Sequence, residues 1–188
     1  MADDRYERVT FRGRTVNRWT AQALAEAERR LGYELTITQG SYNSGRVGAS
    51  AGTHDGGGVV DLAAYDQARK VRVLREVGFA AWRRTPSQGP WPEHIHAVLI
   101  GCGDLAPSAA RQVASYKAGR NGLGNNGRDD GPQVGVHQWT YRTGPPPTPR
   151  EQAARNIESG RPIKDVKRPR VARLMRRAAA AVRGKRVR

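Results

Sequence analysis

One stretch constrains this chain more than any other: Ser50-Ala51-Gly52-Thr53-His54-Asp55-Gly56-Gly57-Gly58-Val59-Val60-Asp61-Leu62. His54 offers an imidazole nitrogen near its start and Asp61 a carboxylate oxygen near its end. The glycines between them let the backbone bend and approach closely where a side chain would clash. Val59-Val60-Asp61-Leu62 reads as a short buried strand, which holds Asp61 on a rigid element. Each feature also has a plain reading: a histidine in a glycine-rich loop serves as a turn residue, and an aspartate after two valines caps a strand. A zinc site that carries out hydrolysis needs three protein ligands and one position open to water. Two of the three are here.

A third is available in Trp91-Pro92-Glu93-His94-Ile95-His96-Ala97-Val98-Leu99-Ile100. In an extended segment alternate side chains share a face, so His94 and His96 point one way and Ile95 and Ala97 the other. Glu93 lies on the opposite face of an ideal strand and reaches the site only from a bend at the strand entrance, which Pro90 and Pro92 favour. With His96 as third ligand, Glu93 is placed as general base toward a water whose pKa zinc lowers to about 7.

These two motifs resemble those of the zinc peptidase family of D-alanyl-D-alanine carboxypeptidases and L-alanyl-D-glutamate endopeptidases, proteins of hedgehog-type fold that cut bacterial cell-wall peptides. His54 and Asp61 match the family's first pair of ligands, His96 the third, Glu93 the general base, and His94 the auxiliary histidine of its His-x-His members. The resemblance implies one Zn2+ ion, a peptidoglycan stem peptide as substrate, and an oxyanion stabilised by His94 together with a further polar residue. It departs from the pattern twice. The serine of the family's Ser-x-His pattern is displaced: Thr53 adjoins His54, and Ser50 lies four residues before the histidine. The family's substrate-binding arginine has no clean counterpart in Gln39-Gly40-Ser41-Tyr42-Asn43-Ser44-Gly45-Arg46, which leaves Gln39 or Arg46 for that role. The resemblance spans about residues 16 to 100.

Around these motifs the chain reads as an α+β domain over residues 1–143, a small mixed or antiparallel sheet flanked by helices with the zinc site on the sheet. Thr10 to Arg14 is expected to form an edge strand or arm. Val16, Trp19, Ala23, Ala27 and Leu31 recur at helical spacing, with Thr15 or Asn17 as cap and Gly32 past the end. Glu34 to Thr38 alternates as a half-buried strand, and Gln39 to Gly52 is a long loop of the kind that carries function. Asp66 is expected to cap a helix with Ala68, Val71, Leu74 and Val77 inward and Arg69, Lys70, Arg72 and Arg75 on a solvated face. Phe79 to Trp82 is a strand, Pro107 to Tyr116 a helix, and Arg120 to Gly131 a loop in which Asp129 and Asp130 lie beside Arg128. Val134 to Tyr141 is a last strand, with His137 a surface or core residue.

Cys102 is the only cysteine, which excludes an intramolecular disulfide and a cysteine-ligated zinc. Met1 to Arg8 lacks the apolar core of a secretory signal, and no run approaches transmembrane length. A wall substrate therefore calls for synthesis in the cytoplasm and release by another factor, as for a phage lysis protein, or for carriage on a virion. Residues 144–150 are a stiff proline-rich linker, and 151–188 a basic tail, helical or disordered. Residues 161–188 hold 12 Arg or Lys against one acid, Asp165. Such a tail suits an anionic wall polymer, a membrane surface or a virion partner, and lacks base-reading aromatics for sequence-specific nucleic acid. The rival to a peptidase is a zinc-stabilised binding or virion structural protein.

Overall fold

The computed structural model describes residues 4–142, and the linker and basic tail expected beyond them lie outside that range. The chain opens with a hairpin rather than a single arm. Strands β1 (Arg8–Phe11) and β2 (Arg14–Asn17) pair antiparallel about Arg12 and Gly13. Helix α1 (Arg18–Leu31) follows at once, its Thr20 amide donating to the Asn17 side chain at 2.8 Å and its end closed by Gly32 at φ 79°.

Four strands form the main sheet: β3 (Ile37–Gln39), β4 (Val59–Ala63), β5 (Phe79–Arg84) and β6 (His94–Leu99), antiparallel throughout in the order β3-β4-β6-β5. Helix α2 (Gln67–Val77) connects β4 to β5, and α3 (Pro107–Lys117) follows β6. The architecture is α+β, with three helices and two antiparallel sheets among the described residues. None of these helices is long and apolar enough to cross a membrane.

The pleat divides the main sheet into two faces. Val60, Leu62, Phe79, Ala81, Ile95, Ala97 and Leu99 pack with Leu24 and Ala27 of α1 and Val71, Leu74 and Val77 of α2 in one core. Val59, Ala80, Trp82, Val98 and Ile100 face the other way, against Ala109, Val113 and Tyr116 of α3. Register then sets the second face residue by residue. Gln39 pairs with Asp61, Asp61 with His96, and His96 with Trp82, while Ala63 pairs with His94 and His94 with Arg84. Gln39, Asp61 and His96 in one row and His94 and Arg84 in the next thus set polar side chains across one side of an otherwise apolar sheet.

Several expectations are corrected. Lys70 and Arg75 do not join Arg69 and Arg72 on a solvated face. Both are buried, because Lys70 Nζ caps the Ala63 carbonyl and Arg75 donates to the carbonyls of Ala81 and Pro132. Ala68, expected inward, is exposed. Asp129 is also buried, paired with Arg75 at 2.8 Å rather than solvating Arg128. Asp66 stands at the cap position of α2 without a capping side-chain bond; its carboxylate accepts from Tyr33 Oη instead. Residues 134–141 form no strand, because side chains of α1 take their backbone groups: Trp19 Nε1 donates to the Trp139 carbonyl, and Gln22 exchanges bonds with Arg142.

Candidate metal centre

His54 comes from the loop before β4, Asp61 from the middle of β4, and His96 from β6 directly opposite Asp61. The loop reaches the sheet because two of its glycines do what no other residue would do there. A Cβ on Gly56 would stand 2.4 Å from the Ala106 nitrogen, and Gly58 adopts φ 80° with Leu105 against it. All three side chains are buried, and their ligand atoms lie within 4.8 Å of one another. His54 Nε2 is 3.3 Å from Asp61 Oδ1, and His96 Nδ1 is 2.8 Å from the same oxygen. A tetrahedral ion bound at about 2.0–2.1 Å requires ligand atoms about 3.3 Å apart; the His54–Asp61 spacing meets this, and His96 Nδ1 has to draw back about 0.5 Å from its hydrogen bond to Asp61.

The surrounding hydrogen bonds set which nitrogens face inward. His54 Nδ1–H donates to the Gly40 carbonyl at 2.8 Å, which leaves the Nε2 lone pair toward Asp61. Gln112 Nε2 donates to the Gly122 carbonyl, so its Oε1 accepts from His96 Nε2–H at 2.8 Å. His96 Nδ1 then faces Asp61 Oδ1 at 2.8 Å, donating to it while protonated and free to give its lone pair to a metal ion once that proton leaves. Burial holds the His96 imidazolium below its ordinary pKa, with Asp61 only partly opposing it. Burial would raise Asp61, but the bonds and charges of His54 and His96 outweigh it and hold the carboxyl well below the usual range. With the facing protons of the imidazoles displaced, two ring nitrogens and an ionised carboxylate converge on one point, and this group can hold a metal ion.

The cluster lines a cavity of about 400 Å³ together with Gln39, Ser50, Arg84, Trp91, Glu93, His94 and Gln112. His94 Nε2 lies 3.7 Å from Asp61 Oδ1, with Nδ1 bonded to the Pro92 carbonyl at 2.7 Å. Gln39 Nε2 donates to Ser50 Oγ at 2.7 Å. Glu93 stands just ahead of β6 with its Oε1 held by Arg83 Nε at 2.6 Å, an exposed pair. Arg46 does not join the site: it is exposed on the loop and is not among the cavity residues, so of the two proposed substitutes for the family arginine only Gln39 is in place. His137 is exposed, bonded to the Val134 carbonyl. Trp82 is buried and stacked 6.3 Å from the His96 ring, whereas Trp91 lines the cavity.

Two site residues have no counterpart in the sequence reading, Gln112 and Arg84. The strand alternation of Ala80, Trp82 and Arg84 is the one signal that pointed to the second. No protein-family model, curated protein or solved structure matches the chain.

Two expected results follow from this geometry. Gln112→Leu removes the acceptor that orients His96, and metal affinity measured by competition with a chromophoric chelator falls about 10- to 100-fold. The metal-free protein also loses stability on acidification. His96 has a folded pKa below its unfolded one, so its contribution is complete above about pH 6.5 and declines below it. Asp61 is likewise depressed, so its contribution declines only as pH falls below about 4. Urea midpoints of the chelated protein from pH 8 to 3 would show both declines, and a flat profile between pH 7 and 5 would contradict the His96 assignment.

Proposed function

We propose that the chain is a zinc-dependent hydrolase that cuts a peptide bond in bacterial peptidoglycan stem peptides. The observation that carries the reading is the convergence of His54 Nε2, Asp61 Oδ1 and His96 Nδ1 within a cavity that also holds Glu93 and His94. Two imidazoles and one carboxylate suit zinc and leave a position open. The substrate class rests on the resemblance of the two motifs to cell-wall peptidases.

Zinc, when bound, supplies a Lewis acid for a carbonyl oxygen and brings a water into the neutral titration range. The chain's own residues supply the remainder. Glu93 takes the water proton and returns it to the leaving amine. Arg83 holds one carboxylate oxygen, which fixes the side chain at the cavity wall while the other oxygen serves as the acceptor. His94 has its Nδ1–H committed to the Pro92 carbonyl, so its Nε2 donates to a developing oxyanion in the imidazolium form. Gln39, an uncharged side chain on the adjacent strand that lines the cavity beside Ser50, supplies a polar contact to the substrate backbone in this reading.

The Glu93–Arg83 pair, exposed and 2.6 Å long, favours a second reading, a zinc-stabilised protein that binds the wall without cutting it. Incubation of the full-length protein with purified peptidoglycan, zinc-loaded and chelated, separates the two. Release of stem-peptide fragments by the zinc form alone is expected, and mass spectrometry of the fragments names the bond. Sacculus binding by a zinc-loaded protein without any fragment would leave only the second reading.

A further inference from the structure

The site face carries a charge that the reaction above does not use. Arg84 ends β5, paired across from His94 on β6, and lines the cavity at only 3% exposure. Its Nη1 donates to the Asn121 carbonyl at 2.9 Å, and its Cζ lies 4.9 Å from the centre of the Trp82 ring. Its Nη2 has no hydrogen-bond partner among the described residues. No carboxylate stands within ion-pair distance of it there: Asp129 is taken by Arg75, and Asp61 faces the histidines. Burial draws the guanidinium down to about 10, against the opposing charges of Asp61 and Asp129, so it remains a cation at neutral pH. A buried cation without a counter-ion is costly unless something else completes it. Trp91, which also lines the cavity, has a buried Nε1 that is likewise without a partner among the described residues. Both call for an occupant that brings acceptor oxygens.

We propose that Arg84 is the carboxylate-binding residue of this cavity, taking a carboxylate carried by the peptide that lies across the histidine cluster. This rests on the hydrolase reading for the occupant's being a peptide. A guanidinium edge matches carboxylate oxygens in geometry and charge. Asp61 already places one negative charge nearby, which favours a monoanion over a dianion such as phosphate. Within a stem peptide the carboxylate has two sources, the C-terminus and an internal acidic residue. Arg84 thereby selects peptides by the presence and position of that group, while the metal ligands act on the bond.

The test measures binding without turnover. Isothermal titration of the full-length, chelated protein uses three synthetic stem peptides: one with both carboxylates free, one with the C-terminus amidated, and one with the internal carboxyl amidated. One amidation is expected to weaken binding to wild type about 10- to 100-fold, as loss of a charged hydrogen bond does, and the responsive peptide names the source. In Arg84→Gln that discrimination falls to within about threefold, because the cation that reads the carboxylate is gone. Should near-ultraviolet dichroism show Arg84→Gln misfolded, Arg84→Lys replaces it. This variant retains the charge but not the planar edge, and a discrimination reduced about three- to tenfold is expected. Equal binding of all three peptides, no binding of any, or wild-type discrimination in the folded variant overturns the proposal. A protein that discriminates carboxylates yet cuts no peptidoglycan keeps this assignment and loses the hydrolase reading. Cleavage indifferent to both amidations does the reverse.

Discussion

Glu93→Gln is expected to leave the protein folded and zinc-loaded while lowering peptidoglycan hydrolysis about 10²- to 10⁴-fold, the span over which general bases contribute. The substitution keeps the shape of the side chain and removes only its ability to accept and return a proton. Stability should barely change, because the one bond lost is the exposed pair with Arg83, and such pairs contribute about 0–1 kcal/mol. Zinc content should match wild type, because Glu93 lies outside the cluster of His54, Asp61 and His96. The measurement is fragment release per mole of bound zinc, with thermal unfolding run on the same samples. A folded, zinc-loaded Glu93→Gln that cuts as fast as wild type would remove Glu93 from the reaction. Loss of zinc along with activity would instead make it a ligand or a support for one.

Asp129→Ala should cost about 3–5 kcal/mol of stability by urea unfolding. Arg75 is 1% exposed, and both carboxylate oxygens of Asp129 lie within 3.0 Å of its Nη2. Removing the carboxylate leaves a buried cation with only the neutral carbonyls of Ala81 and Pro132 as acceptors, which costs more than the pair contributes. Function should suffer too. Asp129 ties residues 119–132 to α2 through Arg75 and closes the segment on itself through its amide to the Gly119 carbonyl, and Gly122, Leu123 and Gly124 line the cavity. Arg75→Met, which removes the charge together with its need for a partner, should be milder than Asp129→Ala in the same measurement. If Asp129→Ala proved no worse than an exposed substitution, the pair would be bridging water rather than sealing a core.

The metal cluster was legible in the sequence because its signals are local. His54 precedes three glycines, Asp61 sits in an apolar run, and His94 and His96 obey the period of a strand. The order of strands supplied the rest, bringing β4 and β6 together so that Asp61 faces His96. Arg84 was not legible for an equally physical reason. Arg83 and Arg84 are alike and adjacent, yet the pleat sends one toward Glu93 and the other into the cavity, and only the strand's true end shows which. Gln112 depends on how α3 turns about its own axis, which packing on Val98 and Ile100 decides. Lys70 and Arg75 misled because charge on a helix reads as solvent, whereas here sheet carbonyls wait for both. The segment from Val134 to Tyr141 has strand-like composition but lies against α1, where Trp19 Nε1 takes the Trp139 carbonyl and Gln22 holds Arg142 just beyond it.

Strand order also separates two kinds of residue. The ligands borne on strands belong to the inner pair, β4 and β6, whereas Gln39 and Arg84 belong to the outer strands β3 and β5. Inner strands are pinned on both sides and tolerate little; outer strands have one neighbour and a margin on which to vary. Descendants of such a chain can therefore change what they recognise by altering two borders while the centre is inherited intact. A library randomised at Gln39 and Arg84 alone would vary the cavity's borders on a scaffold that leaves the His54, Asp61 and His96 group, which can hold a metal ion, untouched.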